Sequence, residues 1–244
     1  MNRFYLEDLE TSNYNFTLKN KEIVDQLLKV LRSKLWDKVI FFDWEDLYDY
    51  VFEIKEIWKK EIIFEQVDRI KKDSEINFEL NLFQALPNKL DKIESIIKNG
   101  TQIWITNFLF FKSERSQKLN ITNKKTERLN KIILESVEQS ERNIIPTLVV
   151  WDKIKFDNLE WINIFLHTKW ENSIFLKDLD FKSMECKGNK KIINLFVWPE
   201  WWFSDTEIDG FEKNQFKRVH LGDRILRTEL AWISSCFFII QNNI

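Results

Sequence analysis

The chain has 244 residues, of which 44% are hydrophobic and 31% charged, with a formal net charge of -2. This is a globular composition. Two cysteines and two histidines give no disulfide framework and too few ligands for a zinc site, and the longest nearly apolar run, 230–240, is too short to span a membrane. The first ten residues carry Glu7, Asp8 and Glu10 and lack the apolar run of a signal peptide, so a cytoplasmic setting with no membrane and no metal is expected. The near-neutral charge gives no sign of nucleic acid by itself, although a whole-chain sum can hide a local basic face.

Residues 1–72 read as strand-rich. A helix over 21–32 is predicted from Val24, Leu27, Leu28 and Leu31 on one face. β-Branched and aromatic runs predict strands over 38–42 and 48–54. Between them stands Asp43-Trp44-Glu45-Asp46, where a hairpin favours Asp-Gly. Trp36-Asp37 and Trp58-Lys59 also fall at expected turns. Short strands with one helix suggest a small barrel. From residue 73 strands and helices alternate. Strands are expected over 78–85, 103–111, 162–167, 192–197 and 218–221, and helices over 90–98, 122–140, 204–214 and 225–240. Ser204 is a natural N-cap, and Glu207 three residues on completes a capping box. The alternation predicts a mostly parallel sheet with helices on both faces.

Two segments carry the chemistry. The apolar strand ending at Val197 runs into Trp198-Pro199-Glu200-Trp201-Trp202-Phe203-Ser204, where a tight loop before a helix usually has small residues. Further on comes Leu221-Gly222-Asp223-Arg224-Ile225-Leu226-Arg227-Thr228-Glu229. Alone, its two arginines fit a solvated helix end as well as a site. Together the segments closely resemble the ribosomal RNA small-subunit methyltransferase E family, which has Gly-Pro-Glu-Gly-Gly-Phe-Ser followed by Leu-Gly-x-Arg-Ile-Leu-Arg-x-Glu-Thr. The likeness extends along the chain through Arg3-Phe4-Tyr5, Val30-Leu31-Arg32, Gln84-Ala85-Leu86-Pro87, Glu114-Arg115-Ser116 and Glu138-Gln139-Ser140-x-Arg142. The family's usual histidine pair before Val-Leu-Arg is absent.

The resemblance implies a PUA-like RNA-binding β-barrel over 1–72, then an α/β SPOUT methyltransferase domain over 73–244 with a C-terminal trefoil knot. It implies a homodimer that methylates N3 of a specific uridine in the 16S rRNA of the small ribosomal subunit, with S-adenosylmethionine as cofactor. On this reading Val197, Trp198, Pro199, Glu200, Trp201 and Trp202 meet the cofactor, together with Leu221, Gly222, Ile225, Leu226 and Arg227. Leu221, Ile225 and Leu226 would supply apolar walls. Arg227 is always protonated and cannot be a base. Its expected role is to stabilise the anion that forms as uracil N3 loses its proton, and to place the ring for in-line attack. Glu200 or Glu229 would accept the proton or orient Arg227, or else serve as a loop brace and an arginine partner. Arg3, Arg32, Arg115, Arg142 and Arg224 are the expected RNA contacts, with Lys34, Lys118, Lys124, Lys125 and Arg128 nearby as phosphate partners or a solvated face. His167, ending a predicted strand, could line the cofactor pocket or be a plain loop residue.

Six tryptophans, at 36, 44, 104, 198, 201 and 202, fall on family glycine positions, and Trp170 has a turn-like context. One cause accounts for both the surplus and the deficit: the codon UGA, which some bacterial lineages read as glycine and others as tryptophan. The expectation is that these tryptophans are glycine in the native protein. If they are genuine, the alternative is a non-catalytic RNA-binding paralogue, or an aromatic platform at Trp201-Trp202 for sugars or bases.

Overall fold

The computed structural model describes every residue except 8, 10–13, 44, 45, 73, 117, 118, 157–161, 169–171, 182, 184–190, 200 and 244. Expectations for Trp44, Trp170, Lys118 and Glu200 therefore lie outside the described residues. The chain divides into two compact units: Met1–Glu75 with Val137–Ile145, and Ile76–Ser136 with Pro146–Ile244.

The first unit is a five-stranded sheet. Its strands are β1 (Asn2–Tyr5), β2 (Asn15–Leu18), β3 (Lys38–Phe42), β4 (Tyr48–Ile57) and β5 (Ile62–Lys71), in the order β1-β3-β4-β5-β2. β1 runs parallel to β3, and the other pairs are antiparallel. Phe4, Phe41, Phe52 and Phe64 point to one buried core, where Phe16 stacks on Phe64 at 5.2 Å. The helix predicted over 21–32 is shorter. α1 (Lys21–Asp25) starts at an Asn20 cap that accepts from the amides of Glu22 and Ile23, then passes into a π-helical turn over Gln26–Val30. Arg32 follows at φ 55° and is exposed.

Arg3 and Arg142 correct the sequence reading. Both are buried, at 8% and 3% exposure, and neither presents its charge to a ligand. The Arg3 guanidinium pairs with Asp49 at 2.9 Å, donates to the Asn143 side chain and lies over the Phe42 ring. Arg142 pairs with Glu75 at 3.1 Å. Turning Arg142 outward would leave the buried Glu75 carboxylate without its ion pair, at a cost of about 3–5 kcal/mol, while turning Arg3 outward would leave Asp49 with Lys72 at 3.5 Å. They hold the first unit together.

The second unit is a seven-stranded, wholly parallel sheet. Its strands are β6 (Phe78–Ala85), β7 (Asn107–Phe111), β8 (Thr147–Trp151), β9 (Ile162–Leu166), β10 (Ile174–Phe175), β11 (Lys191–Val197) and β12 (Lys217–His220), in the order β10-β12-β9-β11-β6-β7-β8. Its helices are α2 (Leu90–Gln102), α3 (Asn123–Ser140), α4 (Asp205–Lys213) and α5 (Thr228–Gln241), the last turn of α3 grouping with the first unit. β9 is buried at every position and β11 at its last five, as strands covered on both faces must be. The strand predicted over 103–111 starts only at Asn107, because Ile103 and Trp104 close α2. Trp104 donates from its amide to the Thr101 carbonyl and Ile105 to that of Gly100. This is the two-bond helix ending whose left-handed residue is usually glycine, and here it is Trp104 at φ 61°.

One polar row crosses the sheet. The register aligns Asn163, Asn194, Asn81, Asn107 and Thr147 on five neighbouring strands. Asn194 donates to Asn163 at 2.8 Å, Asn81 to Asn194 at 2.8 Å and Asn107 to Asn81 at 2.6 Å. A one-residue slip of any strand would break this row, so it pins the register. Asn194→Ala removes two of these bonds in a buried site and is expected to lower the unfolding free energy by about 2 kcal/mol, read by chemical denaturation. A change below about 0.5 kcal/mol would mean that the row carries no stability.

β6 and β11 are adjacent, and from them the strand order runs outward in two directions. In open parallel sheets ligands bind beyond the carboxyl ends of strands at such a switch. The ends here are Gln84-Ala85 and Val197-Trp198.

Candidate active site

Beyond these strand ends the two sequence segments meet. Trp198 and Trp202 come from the first, and Ile225, Leu226, Arg227, Thr228 and Glu229 from the second. With Lys92 of α2 they line a cavity of about 310 Å³. Val197 is buried at the end of β11, and Leu221 and Gly222 are half-buried outside the lining. Trp201 is 63% exposed and does not line the cavity. His167 also lies outside the lining, and its backbone amide donates to the Val219 carbonyl at 2.7 Å.

The first segment is a braced turn. The Trp202 amide donates to the Pro199 carbonyl at 3.2 Å, and Trp202 has φ 64°. Its indole sits 5.2 Å from that of the buried Trp198. Phe203 is buried beside Phe111 and Phe211. Ser204 caps α4, and the predicted capping box is present. The Glu207 carboxylate accepts from the Ser204 amide at 2.9 Å, and also from the Ser113 hydroxyl and the Glu114 amide. Arg115, an expected RNA contact, is exposed and donates to the carbonyls of Trp201 and Phe203 at 3.4 and 3.3 Å. The turn is thus tied to the loop after β7.

The second segment leaves β12 through a turn. The Gly222 amide donates to Nδ1 of His220 at 3.2 Å, and the His220 ring stacks on Phe175 at 5.0 Å. Gly222 has φ 114°, a conformation open to glycine and costly for other residues. The helix predicted from 225 starts at Thr228 because 225–227 are still turn, with Arg227 as its N-cap. The Arg227 side chain makes no capping bond and is exposed. Arginine is a poor choice there, since N-caps favour Ser, Thr, Asp or Asn and a helix N-terminus repels cations. Arg227 thus breaks a local helix-capping rule at the cavity wall.

Glu229 does not pair with Arg227 as an orienting carboxylate; its partner is Lys92, at 2.8 Å. Burial raises the affinity of Glu229 for its proton, but the Lys92 hydrogen bond, its own backbone and the nearby Lys92 and Arg227 charges outweigh that and hold its carboxyl below the usual range. It stays ionised at neutral pH and is a weak base. Lys92 had no signal in the sequence, because it reaches the cavity from a helix more than a hundred residues earlier in the chain. Cys236 is fully buried in α5, which pushes its thiol pKa far up and leaves it inert. Among the described residues no group of three or more His, Cys, Asp or Glu could hold a metal ion, and no helix is long and apolar enough to cross a membrane.

Comparison with known proteins agrees with this geometry. A family model described as an RNA methyltransferase domain matches residues 74–239. The ribosomal RNA small subunit methyltransferase E of Mesomycoplasma hyopneumoniae is 30% identical over 69% of this chain and 72% of that protein. The enzyme of the same name from Buchnera aphidicola is 29% identical over 94% of this chain and 88% of its own. The crystal structure of a ribosomal RNA small subunit methyltransferase E from Neisseria gonorrhoeae, bound to S-adenosyl methionine, superposes with a TM-score of 0.80 at 22% identity, covering 98% of this chain and 96% of that one.

Proposed function

The chain belongs to the ribosomal RNA small subunit methyltransferase E family, and on that premise we propose that it transfers the methyl group of S-adenosylmethionine to N3 of one uridine in 16S rRNA. The observation that carries this reading is the convergence of the 198–202 and 225–229 segments on one cavity at the switch point of the parallel sheet. The residues fit the cofactor: Ile225 and Leu226 offer an apolar wall, and Trp198 and Trp202 line the cavity from the side of the loop after β11. When bound, S-adenosylmethionine supplies an electrophilic methyl on a sulfonium. Arg227 stabilises the uracil anion. Lys92 also lines the cavity, but the ionised Glu229 carboxylate at 2.8 Å offsets its charge, so the net positive field comes from Arg227. That field eases loss of the N3 proton to water. A non-catalytic RNA-binding chain is not favoured, because the cavity persists with both indoles in place.

The finer architecture is part of the same proposal. The first unit serves as a PUA-like RNA-binding barrel, and the second as a SPOUT domain whose 197–204 and 221–229 segments belong to a trefoil knot. The outward face of α5 bears Leu230 and Phe237, 51% and 53% exposed, which suits an apolar contact with a second copy of the chain in a homodimer. Arg32, Arg115 and Arg224 are exposed and remain RNA candidates. Arg32 is joined by Lys29, Lys34 and Trp36 on an exposed stretch suited to phosphate and base stacking. The working place is the cytoplasm, with the small ribosomal subunit as partner.

Incubation with methyl-labelled S-adenosylmethionine and small subunits lacking the modification tests the reading. Nucleoside digestion should yield labelled N3-methyluridine. Label only in a ribose 2′-O-methyl or a C5-methyl nucleoside would sink it.

A further inference from the structure

We infer that Gln84 and Thr228 form a buried positioning clamp that fixes the 198–204 loop relative to Arg227 by holding the backbone carbonyl of Trp198. This rests on the methyl-transfer reading above. Trp198 is the first residue past β11, so its carbonyl has left the sheet ladder. Two donors meet it: the Thr228 hydroxyl at 2.9 Å and the Gln84 side-chain amide at 3.2 Å. The same Gln84 nitrogen lies 3.3 Å from the Thr228 hydroxyl and 3.0 Å from the Ala85 carbonyl, so its two hydrogens are shared among three acceptors. Gln84, Thr228 and Trp198 are 1%, 6% and 4% exposed, so these bonds compete with little water.

The clamp joins three elements that share no local sequence: the end of β6, the loop after β11 and the first residue of α5. Both lone pairs of one carbonyl are engaged, which fixes the peptide plane between Trp198 and Pro199. The direction of the turn into Trp202 follows from that plane. Thr228 is also the neighbour of Arg227, so the bond that holds the loop sets the spacing between the loop and the backbone that carries Arg227. In-line transfer requires that spacing to be held closely. A second observation separates positioning from mere packing. Gln84 Oε1 is buried with no hydrogen-bond partner among the described residues. A buried unpartnered acceptor costs about 1–3 kcal/mol, so glutamine is a poor choice for stability alone. Its presence here fits a need for the donors on Nε2. Gln84→Met removes the orphan along with the bonds, and its effect on stability is therefore small.

The test compares Thr228→Val, Thr228→Ser and Gln84→Met with the parent chain, both as written and with Trp198→Gly/Trp201→Gly/Trp202→Gly. Three quantities are read: amide hydrogen exchange of 198–204, S-adenosylmethionine affinity by calorimetry, and the thermal midpoint. Thr228→Val and Gln84→Met should speed exchange of the loop about tenfold and weaken cofactor binding about tenfold, with the midpoint within a few degrees of the parent. Thr228→Ser keeps donor and acceptor and should restore both readouts. Unchanged loop exchange in Thr228→Val and Gln84→Met would overturn the clamp, as would a loss of binding that Thr228→Ser shares. If neither parent binds S-adenosylmethionine, the methyl-transfer reading fails, while loop exchange still decides the clamp.

Discussion

Replacing Trp198, Trp201 and Trp202 together with glycine is expected to tighten S-adenosylmethionine binding by at least about tenfold. Affinity and stability respond to different features of the loop. Trp202 holds φ 64° without ligand, and a bulky residue in the left-handed region costs about 1–2 kcal/mol, so glycine there relieves strain in the fold rather than in binding. The indoles of Trp198 and Trp202 line the cavity from the loop side, where a cofactor must reach backbone. The empty chain should respond in the opposite sense at Trp198. That side chain is 4% exposed, and deleting a buried tryptophan costs about 3–5 kcal/mol. The glycine form is therefore predicted to be less stable without cofactor and to gain a larger thermal shift with it. Equal affinity in the two forms would contradict the reading of this loop.

The same conformation recurs far from the site. Trp36 has φ 73° within the turn Lys34–Asp37, and Trp104 has φ 61° at the end of α2. Three of the five described tryptophans on family glycine positions thus adopt the left-handed conformation that glycine takes freely. A selected aromatic platform would not explain Trp36 and Trp104, whereas glycine in the native protein explains all three. The mass of a native peptide covering 192–217 should match glycine at 198, 201 and 202.

Arg227→Ser is expected to move activity and stability in opposite directions. Serine is a favoured N-cap, and removing a cation from the start of α5 relieves repulsion by the helix dipole, so stability should rise by about 1 kcal/mol. Loss of the guanidinium removes a group that acts only as charge develops on the uracil. The turnover number kcat should fall about 100-fold or more, with KM for S-adenosylmethionine within a few-fold of the parent. Steady-state kinetics and chemical denaturation check the two halves. A stable variant with unimpaired kcat would remove Arg227 from the mechanism.

Much of this was legible in the sequence because it is local. The apolar run at 78–85 is β6 to the residue, and Ser204 with Glu207 forms the predicted capping box. The two segments of the site were read together and do line one cavity. What depended on the third dimension was not legible. Arg3 and Arg142 look like any surface arginine in sequence, and only tertiary structure buries them against Asp49 and Glu75. Lys92 takes Glu229 as partner from a distant helix, displacing the expected bond to Arg227. Element ends shifted where turn chemistry overruled periodicity: α5 waits for Thr228, and β7 waits until Trp104 has closed α2.

The central claim is methyl transfer to one 16S rRNA uridine, and mapping N3-methyluridine along 16S rRNA from cells with and without this gene tests it most directly. The account predicts one modified position that vanishes on deletion and returns with the parent gene but not with Arg227→Ser. An unchanged map would contradict it.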